Sequence, residues 1–160
     1  MTDYNKIQGA QETIKEVLLQ MGFGQAKVEF EESITKGLIF NISMPDPFML
    51  IGKQGITLHS LQTVCHALVT KKFFGQEPLW FTLDVDDYKR KREWFLKETA
   101  KAAAEKVKLT GRGQALEPMP NYERRLVHAY LQENCSEVFS DSLGEDPYRQ
   151  VVVRLKKPLV

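Results

Sequence analysis

Hydrophobic residues at the start of the chain recur with the spacing of a helix and then alternate with polar residues. The helical positions are Ile7, Ala10, Ile14, Val17 and Met21. Spacings of three and four residues place side chains on one face of an α-helix. Two alternating segments follow at residues 26–30 and 38–42, and alternation is typical of half-buried strands. This part of the chain therefore predicts a helix followed by two strands.

A second helical face begins after a turn near residue 52. The hydrophobic run 48–51 comes before the turn, and a third alternating segment lies at 79–85. The apolar positions after the turn are Leu58, Leu61, Cys65 and Leu68. The order helix–strand–strand–helix–helix–strand predicts a small α+β domain over residues 1–86.

Residues 87–160 combine helices and strands in another order. A long amphipathic segment predicts a helix from about Tyr88 to Leu109, with Asp86 or Asp87 as its N-cap. We expect its packed positions to be Phe95, Ala102, Ala103 and Val107. A short strand at 114–117, a helix over 122–133 capped by Asn121, and two strands around a Gly/Pro loop over 138–153 follow. This pattern predicts a second α+β domain.

The helix predicted over 122–133 has two distinct faces. At 100° per residue, the apolar face contains Leu126, Val127, Tyr130 and Leu131. The opposite face contains Arg124, Arg125, His128 and Gln132. Arg124 and His128 are four residues apart, so we expect their side chains to be neighbours on the solvent side.

The turn Gly52-Lys53-Gln54-Gly55, here named the clamp, is the candidate binding element of the first domain. Two glycines permit left-handed backbone and let an extended ligand approach closely. The helix behind them would direct its N–H groups and positive dipole end at an anion, and Lys53 adds a positive charge. A nucleotide-binding P-loop is excluded, because Gln54 follows the lysine and Pro47 replaces the first glycine.

Charge is divided unevenly between the two predicted domains. Residues 1–86 carry 7 lysines, no arginine and 10 acidic residues, a net charge of −3. Residues 87–160 carry 8 lysines, 7 arginines and 11 acidic residues, a net charge of +4. Such asymmetry suggests a nucleic-acid partner, whereas a salt-bridged, solvated helix is the structural alternative. The cluster at residues 89–92 fits either phosphate contact or solubilising surface.

The sequence gives no support for catalysis, a cofactor or a metal site. The three histidines lack ligand spacing, and Ser60 and Ser142 lack a nucleophile-elbow motif. Cys65 and Cys135 are far apart, which fits reduced thiols and a cytoplasmic protein. We see no signal peptide or transmembrane segment. We therefore expect a non-enzymatic protein.

The glycine turn and the element order around it resemble the bacterial type II KH domain over residues 1–86. That resemblance implies a three-stranded sheet packed on three helices and a loop that holds about four nucleotides of single-stranded RNA. It further implies that Gly52, Lys53, Gln54 and Gly55 hold the sugar-phosphate backbone. Ile51 and Ile56 would floor a groove for bases. In many relatives the clamp has a second basic residue, and Gln54 stands at that position.

The second half resembles the R-x-x-x-H ("R-three-H") domain, a small binder of single-stranded nucleic acid. The resemblance rests on Arg124-x-x-x-His128, its flanking residues 121–127 and the hairpin predicted over 138–153. It implies a small sheet packed on two helices. It also implies that Arg124 and His128 contact phosphate or base, with Arg125 and Arg149 as second-rank candidates.

A KH domain followed by an R-three-H domain is the arrangement of the Jag family, the SpoIIIJ-associated RNA-binding proteins. The two resemblances together cover nearly the whole chain. Many members carry an additional N-terminal domain and basic linker, whereas this sequence starts at the predicted KH helix, so we do not expect functions of that domain here. Membership implies a post-transcriptional regulator linked to cell-envelope growth, division or sporulation, with a small KH protein as a possible partner. Two alternatives stay open: a protein-interaction adaptor and a single-stranded DNA binder.

Overall fold

The computed structural model describes residues 4–34, 37–73 and 75–156. They form two compact units, which divide the chain into residues 1–89 (unit 1) and 90–160 (unit 2). The division lies three residues beyond the boundary expected from the sequence.

Unit 1 contains a mixed three-stranded sheet and three helices. Its elements are α1 (Tyr4–Gln20), β1 (Lys27–Ser33), β2 (Gly37–Ser43), α2 (Phe48–Ile51), a 3-10 turn (Lys53–Gly55), α3 (Ile56–Lys72) and β3 (Phe81–Val85). The strand order is β1–β2–β3, and β2 pairs antiparallel with β1 and parallel with β3. The parallel pairing requires a crossover, which α2, the turn and α3 provide. The clamp therefore lies inside this crossover.

The core of unit 1 differs from the predicted helix faces at two positions. Leu18 and Val69 are buried, whereas Met21 and Leu68 are 43% and 40% exposed. Leu18 and Val69 each lie four residues beyond a buried residue and so continue the same face. Met21 lies outside α1, which ends at Gln20. The predictions for Met21 and Leu68 were wrong because the period of a helix is 3.6 residues, and alternating threes and fours drift around its axis.

Unit 2 packs an antiparallel sheet against helices. Its elements are α4 (Tyr88–Thr110, beginning in unit 1), β4 (Gln114–Ala115), α5 (Asn121–Asn134), β5 (Val138–Leu143) and β6 (Gln150–Leu155). The strand order is β4–β6–β5, so β5 is an edge strand. One hydrophobic cluster joins buried residues of α4, α5, β5 and β6. The predicted α+β class is confirmed.

Helix α4 buries a different set of residues from the one predicted. The buried positions are Leu96, Ala100, Ala103, Ala104 and Val107. Phe95 is 52% exposed and Ala102 is exposed as well, so these two predictions were wrong. The reason is rotational: Leu96 belongs to the buried row four residues apart, and its neighbour Phe95 points 100° away.

The start of α5 is organised differently from the prediction, and at the start of α4 another aspartate, Asp84, bonds a first-turn amide. Asn121 is the first residue of α5 and not its cap, since Pro120 occupies the cap position without a side-chain hydrogen bond. At α4 the Asp84 carboxylate accepts a hydrogen bond from the Lys89 amide at 3.1 Å. Asp86 and Asp87 have left-handed φ angles of 47° and 61°. Asp84, which comes before both of the predicted caps in the chain, therefore satisfies a first-turn amide.

Candidate nucleic-acid interface

The clamp is a kinked turn whose backbone is left-handed at three of its four residues. Gly52 has φ 71° and ψ 179°, a region open essentially to glycine alone. Gln54 has φ 54° and Gly55 has φ 78°. Gly55 occupies the N-cap position of α3, with no side-chain hydrogen bond across the cap. The turn therefore ends where the first amides of α3 begin, as the sequence predicted.

Both glycines are also required by close packing. A Cβ on Gly52 would lie 2.1 Å from Oγ1 of Thr57 and 3.0 Å from the Thr57 backbone nitrogen. A Cβ on Gly55 would lie 2.7 Å from Cε1 of Tyr88. The side chain of Thr57 and the ring of Tyr88 thus support the turn from behind. This second requirement is tertiary, and the Gly-x-x-Gly pattern alone does not reveal it.

The exposed side of the clamp combines one cation with apolar side chains. Lys53 is exposed, Ile56 is 51% exposed and Ile51 is half-buried. Phe48 and Met49 in α2 are 81% and 72% exposed. The sequence analysis did not single out these two residues as site residues, although their place directly before the clamp was a usable signal. Together they give the clamp an apolar border suited to nucleobases.

Two cations at the start of α4 are engaged inside the protein. Lys89 Nζ donates to Gln62 Oε1 at 2.7 Å. Burial lowers the pKa of Lys89, and the nearby Asp84 carboxylate opposes that shift. Arg92 forms a two-pronged pair with Glu123, with Nε–Oε1 and Nη2–Oε2 distances of 2.8 and 2.9 Å. The sequence analysis considered only phosphate contact or a solubilising surface for residues 89–92. Lys89 and Arg92 have a third role, because their side chains bond other residues of the protein.

Arg124 does not lie on the solvent side of α5. Its side chain is 5% exposed. Nη1 donates to the Met119 carbonyl at 2.7 Å and to Asp146 Oδ1 at 3.0 Å. The predicted exposed ridge of Arg124 and His128 was thus wrong for Arg124. A helical projection assigns faces from local sequence, and it omits the loops that fold over the helix.

His128 is half-buried and held at both ring nitrogens. Nδ1 lies 2.6 Å from Ser140 Oγ, and Nε2 lies 2.7 Å from Ser142 Oγ. Desolvation by burial lowers the pKa of His128; Asp141 raises it and Arg124 lowers it further. The imidazole is consequently neutral near pH 7. Because both edge nitrogens already have hydroxyl partners, the ring offers its face rather than its N–H group to a ligand.

Two of the predicted residues, His128 and Arg149, line one cleft of about 440 Å³ beside the edge strand β5. Gln132, Ser140, Ser142 and Lys156 are among its other lining residues. Arg125 is exposed and is not part of this lining. Lys156 is a candidate that the sequence analysis missed, since nothing local distinguishes it from other surface lysines. We call this feature the β5 cleft.

A larger cleft in unit 1, of about 860 Å³, is lined by Lys6, Glu32, Glu77 and Trp80 among others, and by none of the predicted site residues. Within the described residues there is no cluster of three or more histidine, cysteine or acidic side chains that could hold a metal ion. Over the same part of the chain, no helix has the length and apolar character needed to cross a membrane.

Comparison with known proteins identifies a domain in the second half and finds relatives that match most of the chain. Residues 95–155 match the model of the R-three-H domain. A Clostridium symbiosum protein called "RNA-binding protein KhpB" is 41% identical over 130 residues, which is 81% of this chain and 57% of that protein. Proteins of the same name from Bacillus subtilis and Lactiplantibacillus plantarum are 32% and 42% identical over 84% and 68% of this chain. They are covered over 64% and 33% of their own lengths.

The R-three-H assignment predicted from Arg124-x-x-x-His128 and its flanks is confirmed by the matched range. The chain spans little more than half the length of the first of these relatives. The assignment of residues 1–86 as a type II KH domain stays a prediction. By its R-three-H domain and its similarity to the KhpB proteins, the chain belongs to the Jag family.

Proposed function

We propose that this protein binds single-stranded RNA through two surfaces, the clamp of unit 1 and the β5 cleft of unit 2. The observation that carries the proposal is the clamp: a glycine pair with no room for a Cβ, and an exposed lysine at its tip. A turn of this kind lets a sugar-phosphate backbone approach closely. It leads directly into the N-terminus of α3, whose positive dipole end favours an anion. The names of the relatives and the R-three-H domain support the same ligand.

At the clamp, Lys53 contacts phosphate beside the N-terminus of α3, with Gln54 as an uncharged hydrogen-bonding side chain. Gly52 and Gly55 let the sugar-phosphate backbone approach closely. Ile51 and Ile56 floor the adjacent groove. This is the role that a type II KH domain over residues 1–86 would have. Since unit 1 has no arginine and a negative net charge, its grip depends on local geometry, and we expect weak binding from it alone.

At the β5 cleft, Arg149 and Lys156 supply positive charge and His128 supplies a neutral ring face. Arginine presents a planar fork to phosphate, and an imidazole face stacks on a base. Arg125 is exposed on α5 and does not line the cleft, so we give it a second-rank role as an RNA contact.

The two surfaces act together when one RNA strand reaches both. Binding at one surface raises the effective concentration of the strand at the other, which multiplies affinity without any new contact. RNA long enough to span both surfaces should therefore bind far more tightly than an RNA of about five nucleotides, a length close to one KH site. Equal affinities for the short and long strands would disprove joint binding.

The double variant Lys53→Asp/Gln54→Asp tests the clamp directly. We expect a loss of affinity for a long RNA of about tenfold to a hundredfold and a shallower salt dependence, because fewer phosphate counterions are released. The matched control is Lys15→Asp/Gln20→Asp on α1, which makes the same change in charge at exposed positions. If both double variants lose affinity equally, net charge and not the clamp holds the RNA.

The competing functions predict different outcomes of the same titration. A single-stranded DNA binder would prefer DNA of the same sequence, and an adaptor would bind neither strand. The regulatory role linked to envelope growth, division or sporulation stays a prediction. Crosslinking to RNA in cells followed by sequencing would reveal whether particular transcripts are occupied, and a nuclease assay with Mg²⁺ would test the expectation of no catalysis.

A further inference from the structure

We propose that Arg124, the arginine of the Arg-x-x-x-His signature, is a positioning residue that places Arg149 in the β5 cleft and does not itself contact RNA. The inference rests on the RNA-binding function proposed above and assigns the roles within its second surface. It assigns different roles to Arg124 and Arg149 because their side chains have different contacts.

The first step is that the Arg124 side chain is buried and that Nη1 of its guanidinium is occupied. Its side chain is 5% exposed, and Nη1 serves both the Met119 carbonyl and Asp146 Oδ1. Hydrogen bonds of a buried ion to its partners are costly to break. The Asp146 carboxylate, 68% exposed, stands on the outer side of this charge and offsets it. A phosphate that approached Nη1 would compete with that carboxylate.

The second step is a short connection from Arg124 to the backbone of Arg149. Met119, whose carbonyl accepts from Arg124, donates its own N–H to the Arg149 carbonyl at 3.2 Å. Asp146, the other partner, lies three residues before Arg149 in the loop between β5 and β6. Arg124 therefore holds the loop both at Asp146 and, through Met119, at Arg149.

The third step is that the Arg149 side chain, unlike that of Arg124, is accessible to a ligand. It is exposed and lines the β5 cleft together with His128 and Lys156. Its place there is set by a loop that lies outside the strands, so the backbone needs an anchor to hold the side chain toward the cleft. A buried guanidinium whose Nη1 donates to both Met119 and Asp146 is such an anchor, because charge-assisted hydrogen bonds of a buried ion are costly to break.

The test uses Asp146→Ala in the full chain, because Arg124 variants would also disturb the core. If Arg124 contacts RNA, removing its carboxylate partner frees the guanidinium and makes the protein more positive, so affinity rises. If Arg124 is a positioning residue, the loop loosens and affinity falls, by about threefold to tenfold. Glu145→Ala is the matched control: it makes the same charge change at an exposed neighbour in the loop. We expect this control to leave affinity unchanged or slightly higher.

A double-mutant cycle with Arg149→Ala separates positioning from general destabilisation. We expect Asp146→Ala to have little further effect on RNA affinity in the Arg149→Ala background, because its effect passes through Arg149. An undiminished loss in that background, or a gain in affinity in the wild-type background, would overturn the proposal. Asp146→Asn, which keeps the shape and removes the charge, should weaken binding in the same direction and serves if the alanine variant unfolds. Absence of RNA binding by the wild-type chain would instead refute the proposed function.

Discussion

The clamp of unit 1 and the signature helix of unit 2 were both recognised from short motifs, but the two motifs fared differently in the folded chain. The clamp is a backbone motif, and its glycines have the left-handed angles expected of them. The signature on α5 is a side-chain motif, and its arginine lies in the interior instead of on the predicted solvent side. Backbone conformation follows from local sterics, whereas the surroundings of a long side chain depend on whatever else packs there.

The interiors of the two units also differ in how many charged side chains they bury. Among the described residues, the buried polar or charged side chains are Asp84 in unit 1 and the adjacent Glu123 and Arg124 in unit 2. Glu123 pairs with Arg92 and Arg124 with Asp146. Unit 2 thus orders its loops and helices around buried charges, while unit 1 has a core that is apolar apart from one capping carboxylate. Three experiments test this contrast.

The largest effect should follow from Arg92→Ala, which leaves the Glu123 carboxylate buried without its partner. Glu123 is 1% exposed, and breaking a buried pair costs about 3–5 kcal/mol. We expect hydrogen exchange to accelerate in β5 and β6, with unit 1 as the internal reference. The control is Lys97→Ala, which removes an exposed pair with Glu93 and should change stability little, because solvent screens an exposed ion pair. Equal effects of the two variants would show that unit 2 does not depend on buried charge.

A smaller effect should follow from Gly52→Ala in the clamp. The variant adds strain at φ 71° and a clash with Thr57, so we expect a loss of more than about 2 kcal/mol in the free energy of unfolding of unit 1. Gly22→Ala is the control, since Gly22 has φ 89° and nothing within 4 Å of the added Cβ. It should cost about 1 kcal/mol, the strain of a left-handed residue alone. If Gly52→Ala and Gly22→Ala lowered the free energy of unfolding equally, the clamp would not be closely packed.

The smallest effect should be a dependence of the stability of unit 2 on pH through His128. Burial lowers the pKa of His128 from its ordinary value of 6.5, so below about pH 6.5 the unfolded chain binds a proton that the folded chain resists. Stability from this group is therefore complete above pH 6.5 and declines as the pH falls. Asp141, Arg124, Arg149 and Lys156 are the charged groups around the ring.

Comparing unfolding at about pH 7.5 and pH 5.5 in the wild type and in His128→Gln measures this contribution. The variant should lose less stability on acidification than the wild type, because it has no ring to protonate. Parallel pH profiles for the two proteins would contradict the assigned neutral state of His128.

Much of the fold could be predicted from the periodicity of apolar residues. The helices and strands occur where the patterns placed them, because a buried face must repeat with the period of its element. The errors lie at the edges of those faces, as with Leu68 and Val69 or Phe95 and Leu96. Consecutive residues of a helix point 100° apart, so at the edge of a face either neighbour could be the buried one. Which of the two is buried depends on the element that packs against the helix.

Some features of the candidate site follow from local sequence, and others depend on packing. Local sequence was sufficient for the clamp, since its glycines permit the left-handed angles that a sharp turn needs. It was also sufficient to place Arg124 and His128 one turn apart on α5. Packing was needed to pair Arg92 with Glu123, to enclose Arg124 between Met119 and Asp146, and to bring Arg149 and Lys156 beside His128 in the β5 cleft. Arg92 and Glu123 are 31 residues apart, and Arg124 and Asp146 are 22 apart. Such partners meet only when the sheet and helices pack, which no local pattern encodes.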